Sequence, residues 1–589
     1  MISNKFKLTL ITAAILSSGT ASAALYQVVE VTPSTTFDYQ SSFGVAIQPG
    51  EATDGSTDLT LGCFAGAATN CTADDFTLAG ETRAAEINSG EAVDGLSYRE
   101  EAPFGMDSAF IYIQSQDDFE SYCDNQLRYA TCEAWASVRW AQWYNELSGS
   151  TTPNSIAFTG SSTTGTPVDE NQNVVINSLN SAGEPVGIAS TVADVTTYRR
   201  NQVTGFVGST STSDTFTDTF QTRAWKTLVT DSNDSYTVGS IATSTQNDEG
   251  IYYTSKAAVW DASGASIQLA WGTNSVQSVR NNRLAQGSVQ SVRNNRLAQG
   301  SMRDIAEDSD GNIYGVGYNT YESDSSNYMN AVVYSLSGSD VMTGNWTSTP
   351  ISNATIRESG YASGEYIYSN TVATAVNSNR VAIGESKRSG SRIYNGAASN
   401  RVFVVDDVAS PSATYLSGGI FFDGAGGKAG GINNFNEIVG QVDAESVRES
   451  NGKPRRKRAF IYPYDGTGTD EDRRAVFNNQ GWWLDNLTNG GTYSSDNNQY
   501  RIIDATDIND AGVIAATAIK CDGGYSTTAY NASCDGTETT VAVKLMPIPG
   551  ATSSDISARG TDEMTTERSG GSFGLWMLAV LGLIGFRRK

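Results

Sequence analysis

The sequence predicts an all-β chain, a seven-bladed β-propeller over residues 24–549 with a small helical insertion and a C-terminal hydrophobic sorting helix. Three observations predict it. A hairpin signature returns seven times, roughly 70 residues apart, which reads as a propeller or a β-solenoid. A second strand motif follows most copies in the same order. No Pro- or Gly-rich linker breaks the chain at regular intervals, as tandem sandwich domains would require.

The chain opens with MISNKFKLTLITAAILSSGTASA. Lys5 and Lys7 precede an apolar stretch from Leu8 to Leu16, and Ala21, Ser22 and Ala23 have the small-residue spacing of a cleavage site. Residues 1–23 are expected to be a secretory signal peptide cut between Ala23 and Ala24. The apolar stretch is too short to span a bilayer. Residues 25–31, LYQVVEV, form a strong strand with no hairpin of its own. A closed ring completes its last blade with such a strand, so it is expected beside residues 540–547.

The hairpin copies centre on Ile87, Ile176, Val229, Ile305, Val376, Ile432 and Ile508. In each, an apolar strand ends, Asn, Asp, Ser and Gly make a turn, and a second strand leaves through Val or Ile. Asn and Asp bond their own backbone across such turns, and Gly accepts positive φ. A glycine recurs in the second strand, at Gly187, Gly239, Gly315, Gly384 and Gly440. Glycine weakens a strand unless another backbone comes close, so close approach is expected there. The second motif is a small residue, two apolar residues and often an aromatic. It occurs at 108–112, 222–225, 256–260, 330–334, 401–405, 458–462 and 540–545. Residues 482–487, WWLDNL, read as a further strand.

Four stretches depart from the repeat. Residues 132–147 place Ala136, Trp140, Trp143 and Leu147 at helical spacing, a short insertion in blade 1. SVQSVRNNRLAQG occurs twice, at 275–287 and 288–300, and reads as an exposed loop. Residues 453–458, KPRRKR, read as a solvated hairpin loop or, more sharply, a contact for an anionic polysaccharide. Residues 308–312 and 231–235 carry closely spaced oxygen donors, which leaves calcium as the one cofactor open. They lack the Gly and distal Glu of an EF-hand loop, and turn chemistry accounts for them without metal.

After residue 549 the chain is small and polar, so 550–569 are expected to be a disordered linker. Residues 570–589 begin Gly570, Gly571, Ser572, run apolar to Phe586 and end Arg587, Arg588, Lys589. The apolar run is roughly 21 Å as a helix, short of the roughly 30 Å hydrocarbon core, so it suits a temporary transmembrane anchor. The basic end fixes the C-terminus on the cytoplasmic side.

Composition excludes several functions. The chain has 39 basic and 64 acidic residues, a formal charge of −25, which disfavours nucleic acid as a partner. It has no histidine. That rules out Ser-His-Asp and Cys-His catalysis and His-ligated zinc. No P-loop, Gly-x-Ser-x-Gly or dinucleotide fingerprint is present, and no residue is assigned a catalytic, cofactor or metal role. The six cysteines fit an oxidising compartment. They allow 15 connectivities, and proximity favours Cys63 with Cys71, Cys123 with Cys132 and Cys521 with Cys534.

Three resemblances add to this reading. The order of Gly570-Gly571, apolar run and basic end resembles the GlyGly-CTERM sorting signal of Gram-negative secreted proteins. It implies cleavage near Gly570 and Gly571 by a rhomboid-type sortase, transient inner-membrane anchoring, and type II secretion to the cell surface or medium. The order of strand motif and hairpin resembles HAF-type extracellular repeats, with Arg, Lys, Asn or Ser in place of His. The chain as a whole resembles an extracellular family defined by domain of unknown function 3466, which implies no activity. The expected function is a secreted or surface-exposed binding or adhesion module for a polymer or protein. The rivals are a polysaccharide hydrolase or lyase using Asp, Glu and Tyr, and a structural envelope protein. Convergent carboxylates at one mouth of the channel would favour the enzyme.

Overall fold

The computed structural model describes residues 24–84, 155–191, 203–212, 219–247, 250–271, 298–323, 326–338, 340–358, 364–389, 392–448 and 455–562, with isolated positions between 115 and 153. Seven separate sheets form the molecule. Blade 1 is Ser41–Ile47, Leu78–Arg83, Ala157–Gly160 and Thr164–Pro167, with Thr32–Pro33 added in parallel at its outer edge. The long first strands of blades 2 to 6 are Gln172–Leu179, Thr219–Val229, Gly300–Glu307, Tyr366–Val376 and Gly427–Ile432, and in blade 5 the two-residue strand Ile356–Arg357 pairs beside Tyr366–Val376. Blade 7 is Tyr500–Ile508, Ile514–Cys521 and Glu538–Pro547, and its fourth strand is Tyr26–Glu30. The first strands of successive blades touch in turn, and that of blade 7 touches that of blade 1, so they line a closed axis. This is a seven-bladed β-propeller, as the hairpin register predicts.

The chain's first strand seals the ring as expected. Tyr26 pairs with Pro547 and Glu30 with Val543, antiparallel. Leu25, Tyr26, Val28, Val29 and Val31 are all buried.

Six hairpin copies, at Ile176, Val229, Ile305, Val376, Ile432 and Ile508, are the first hairpins of blades 2 to 7. The copy at Ile87 lies outside the described residues and follows the second strand of blade 1. That blade's first hairpin instead joins Ile47 to Leu78 through a long loop, residues 48–77. The third strands of blades 3 to 7 contain the motif at 256–260, 330–334, 401–405, 458–462 and 540–545. The match at 222–225 instead lies in the first strand of blade 3, and 108–112 lies outside the described residues. In 482–487 only Trp482–Trp483 is strand; Leu484–Leu487 is a helical turn.

The turns repeat for a physical reason. Asn377, Asn433 and Asn509 each accept, at Oδ1, the N–H four residues on, at 2.9 to 3.0 Å, which closes the turn. Each then donates from Nδ2 to the next hairpin along: Asn377 to Asn433 O, Asn433 to Asn509 O, Asn509 to Gln48 O. One side chain shapes its own hairpin and ties it to the neighbouring blade.

The strand glycines also have a cause. Every first strand carries a β-bulge, at Val45, Asn177, Trp225, Arg303, Thr374, Gly430 with Gly431, and Thr506. The second-strand residue across it is Gly80, Gly187, Gly239, Gly317, Gly384, Gly440 or Ala516. At Gly187, Gly239, Gly317, Gly384 and Gly440 a Cβ would overlap the carbonyl oxygen of Val175, Arg223, Ser301, Val372 or Lys428. The close backbone belongs to the blade's own first strand. In blade 4 the residue concerned is Gly317, not Gly315.

Candidate functional site

Two regions gather chemistry-bearing side chains. The first is the axis. The residue after the bulge is Ser178 in blade 2, Lys226 in blade 3, Asp304 in blade 4 and Asp507 in blade 7. Burial pulls the Lys226 ammonium down, but the carboxylates of Asp507, Asp304 and Asp510 outweigh it and hold it above its ordinary value. Blades 3 and 7 are not neighbours, so this mutual influence acts across the channel. Burial lifts Asp304 above its ordinary value, against the pull of Lys226 and of two backbone N–H groups. Burial likewise lifts Asp510, on the turn of blade 7, against its hydrogen bonds from Asn434 and the charge of Arg473.

The channel brings Asp304 and Asp507 together around Lys226, and burial raises Asp304. Their hydrogen bonds describe what they do. Asp304 accepts N–H bonds from Val376, in the first strand of blade 5, at 3.0 Å and from Ile305 at 2.8 Å. Asp507 accepts them from Ile47, in blade 1, at 3.1 Å and from Ile508 at 3.0 Å. Both oxygens of each carboxylate therefore hold backbone, and each side chain bridges to the next blade. Ser178 does the same from blade 2, donating to Trp225 O at 2.7 Å. A glycosidase acid or base needs an oxygen turned to substrate. Arg303, the bulge residue of blade 4, stacks on Trp225, the bulge residue of blade 3, at 3.5 Å, a further tie between neighbouring blades.

On the hairpin face, Glu51 of loop 48–77 is pushed up to about 7 by desolvation, by its hydrogen bond with Asp58 and by the charges of Asp58 and Asp510. Beside it, buried Arg473 clamps Glu437 through Nε at 2.7 Å and Nη2 at 2.8 Å. Its Nη1 reaches Thr60 O and Asp510 O, which joins blades 6 and 7 to the loop.

The second region is the opposite face, where second strands turn into third strands. Between blades 5 and 6 a shallow cleft of about 390 Å³ is lined by Ile393, Asn395, Gly396, Ser446 and Arg448. Beside it, guanidinium groups lie over tyrosines: Arg357 over Tyr366 at 3.9 Å, Arg401 over Tyr415 at 4.5 Å, and Arg388 over Tyr368 and Tyr394 at 5.1 and 5.3 Å. Each pair joins residues on different strands or loops, so no local sequence pattern announced it.

The residues singled out in the sequence fall as follows. Cys63–Cys71 and Cys521–Cys534 are formed. Cys132 is disulfide-bonded, and its expected partner Cys123 lies outside the described residues. Ala24 is buried just before the sealing strand; Ala23, Gly570 and Gly571 lie outside the described residues. Residues 453–458 are not a solvated loop where described: Arg455 and Arg458 are buried and pair with Asp443 at 3.1 Å and Asp485 at 2.9 Å. The first half of the expected linker is also ordered. Arg559 is buried and donates to Asp485 O, Asn498 Oδ1 and Thr528 O. Of the duplicated segment only Ala298, Gln299 and Gly300 are described; all are buried, and Gly300 starts blade 4. Within the expected insertion, 132–147, the described positions are helical, with Ala136 buried and Trp140 against Tyr144, while Trp143 and Leu147 lie outside the described residues; a further helix, Gln116–Tyr122, precedes it. Asp308 accepts the N–H groups of Asp310 and Asn312 and the Asn312 amide, which is turn chemistry. Among the described residues no group of three acidic or Cys side chains is placed to hold a metal ion.

Fold and channel define a closed propeller whose axial charges serve the ring itself. Residues 190–589 match the family described as Protein of unknown function (DUF3466), more than half of the chain, and the protein belongs to that family. No curated protein matches. A Dyadobacter fermentans protein of unknown function is similar in structure at 8% identity and TM-score 0.32, covering 88% of this chain and 98% of that one. A Bombyx mori GH32 beta-fructofuranosidase is similar at 10% identity and TM-score 0.21, covering 48% of this chain and 56% of that one.

Proposed function

We propose that this protein is an exported, non-catalytic propeller that binds a polymer or protein outside the cell. The observation that carries the reading is the use of the axial carboxylates. Asp304 and Asp507 give both oxygens to backbone N–H groups and neutralise Lys226, so they act as inter-blade struts. The disulfides fit an oxidising compartment. With the N-terminal leader and the GlyGly-type tail, they support export, removal of residues 1–23, sortase cleavage near Gly570 and Gly571, and type II secretion. The HAF-like order of strand and hairpin supports an extracellular role in the same way.

The test is a glycan and protein-ligand array probed with the exported protein, alongside assays for polysaccharide cleavage. Binding without product release is expected. Release of reducing or unsaturated sugars, lost in Asp304→Asn, would install the hydrolase or lyase reading instead. Intact-mass analysis of the exported form should find neither residues 1–23 nor the tail from 572 onward. Retention of Arg587, Arg588 and Lys589 would make the tail a plain anchor.

A further inference from the structure

We propose that the face between blades 5 and 6 binds an acidic polysaccharide of the polyuronate type. This rests on the reading above and names the ligand of that module. The first support is charge. The chain carries −25, yet Arg388, Arg401 and Arg448 make no ion pair among the described residues. Arg388 donates to the Tyr368 hydroxyl at 2.9 Å and Arg401 to Leu416 O at 3.4 Å, both neutral oxygens. A guanidinium resting on a phenol ring keeps its full charge and its outer donors, and it matches a carboxylate in the plane.

The second support is the apolar lip. Ile393, Tyr394 and Val447 are 56%, 46% and 54% exposed, three of the five large apolar side chains so exposed among the described residues. They stand beside the cleft, where the flat faces of pyranose rings would cover them. The third is rigidity. Arg455 is buried between the two loops and donates to Val447 O at 2.8 Å, to Gly424 O at 2.7 Å and to Asn395 O. The backbone at Asn395 and Val447, beside the cleft, is thus tethered before any ligand arrives, which lowers the entropic cost of binding.

The cations and the lip together select the ligand. A neutral glycan would use the lip and leave the guanidinium groups unmatched. A nucleic acid duplex would extend its phosphates over the surrounding acidic surface. Near the strip the acidic groups Glu358 and Glu365 are held by Arg392, and Asp423 accepts the Tyr394 hydroxyl, which bounds the cationic surface.

The experiment is affinity electrophoresis and calorimetry of the exported protein with polygalacturonate, its methyl ester and duplex DNA. Polygalacturonate should bind, and the ester about tenfold more weakly. Affinity should fall as salt rises from about 50 to about 500 mM. Arg448→Gln and Tyr394→Ser, both at exposed positions, should each weaken binding about threefold with an unchanged melting temperature. Equal binding of acid and ester, or full binding by both variants, would overturn the proposal. DNA bound in preference to polygalacturonate would overturn it in favour of a polyphosphate ligand. If the array finds a ligand whose binding ignores both variants, the module reading stands and this site fails; if no ligand of any class binds, the module reading fails with it.

Discussion

A bulge turns one carbonyl of the inner strand toward its partner, and in five of the seven blades a side chain opposite would overlap it. At Gly239 a Cβ would overlap the Arg223 carbonyl, which is backbone and cannot step aside. Gly239→Ala is therefore expected to cost about 1–3 kcal/mol in urea unfolding, as overpacking does. Ala516 occupies the equivalent place in blade 7, so Ala516→Gly should cost no more than about 1 kcal/mol. Equal effects would show that the glycines are incidental. A second single-residue test uses pH. Glu51 titrates at about 7 when folded, against 4.5 ordinarily. The folded state therefore keeps this proton when the unfolded chain has lost it, so its contribution to stability falls as pH rises from 4.5 to about 7. In Asp58→Asn the partner's charge is gone and its amide can donate to the ionised Glu51, so an NMR titration of the Glu51 carboxyl should move toward the ordinary value. A titration unchanged by the substitution would remove Asp58 as a cause.

Elements were readable where their cause is local. Six first hairpins follow from their turn residues, because one side chain closes each turn within four residues: Asn180, Asn377, Asn433 and Asn509 in blades 2, 5, 6 and 7, Thr230 in blade 3 and Asp308 in blade 4. Blade 1 shows no such turn in its first hairpin, where loop 48–77 takes its place. That loop is held by contacts distant in sequence, Cys63 N–H to Ala511 O and Ala511 N–H to Gly50 O. The arginines of 453–458 were misread for a related reason. Their partners Asp443 and Asp485 lie on other elements, and a dense basic run says nothing of them. The strip at blades 5 and 6 was invisible too, since Tyr368, Arg388 and Tyr394 meet only once two strands and a loop are folded. Within loop 48–77 the Cys63–Cys71 bridge closes 8 residues. Loop-closure entropy for that length gives about 2.5 kcal/mol, so Cys63→Ser with Cys71→Ser should lower stability by about that amount. Buried Cys63 packs in the core shared by blades 1 and 7. The double variant should therefore also speed hydrogen exchange in the blade 7 hairpin. A loss confined to the loop would show that it is not coupled to the ring.

At the scale of the whole molecule, one strand decides whether the ring is closed. Tyr26–Glu30 pairs with Glu538–Pro547, so the first and last strands of the propeller share a blade. Further contacts fix it there: Val28 N–H to Asn497 Oδ1 at 3.0 Å, Asn497 Nδ2 to Tyr26 O at 2.9 Å, and Lys520 with Glu30 at 2.9 Å. Next to it, the buried Lys544 ammonium is surrounded by Ala73 O, Asp75 O, Phe76 O and Ser161 O, all within 3.0 Å and sharing its three N–H donors, which locks blade 7 to blade 1. Leu25, Tyr26, Val28, Val29 and Val31 bury their side chains. At about 1.5–3 kcal/mol each that is roughly 10 kcal/mol, an upper bound comparable with the whole stability of a domain. A chain beginning at residue 34 should lose that burial and expose Glu538–Pro547 as an unpaired edge, so it should aggregate or melt far below the intact protein. A synthetic peptide of residues 24–33 should then restore solubility and melting temperature in trans, because the vacated edge accepts a strand in a fixed register. A scrambled peptide of the same composition should not. If the truncated chain is as stable as the intact one, the seventh blade does not need its fourth strand, and closure rests on the inter-blade struts, Asp304, Asp507 and Lys544 among them.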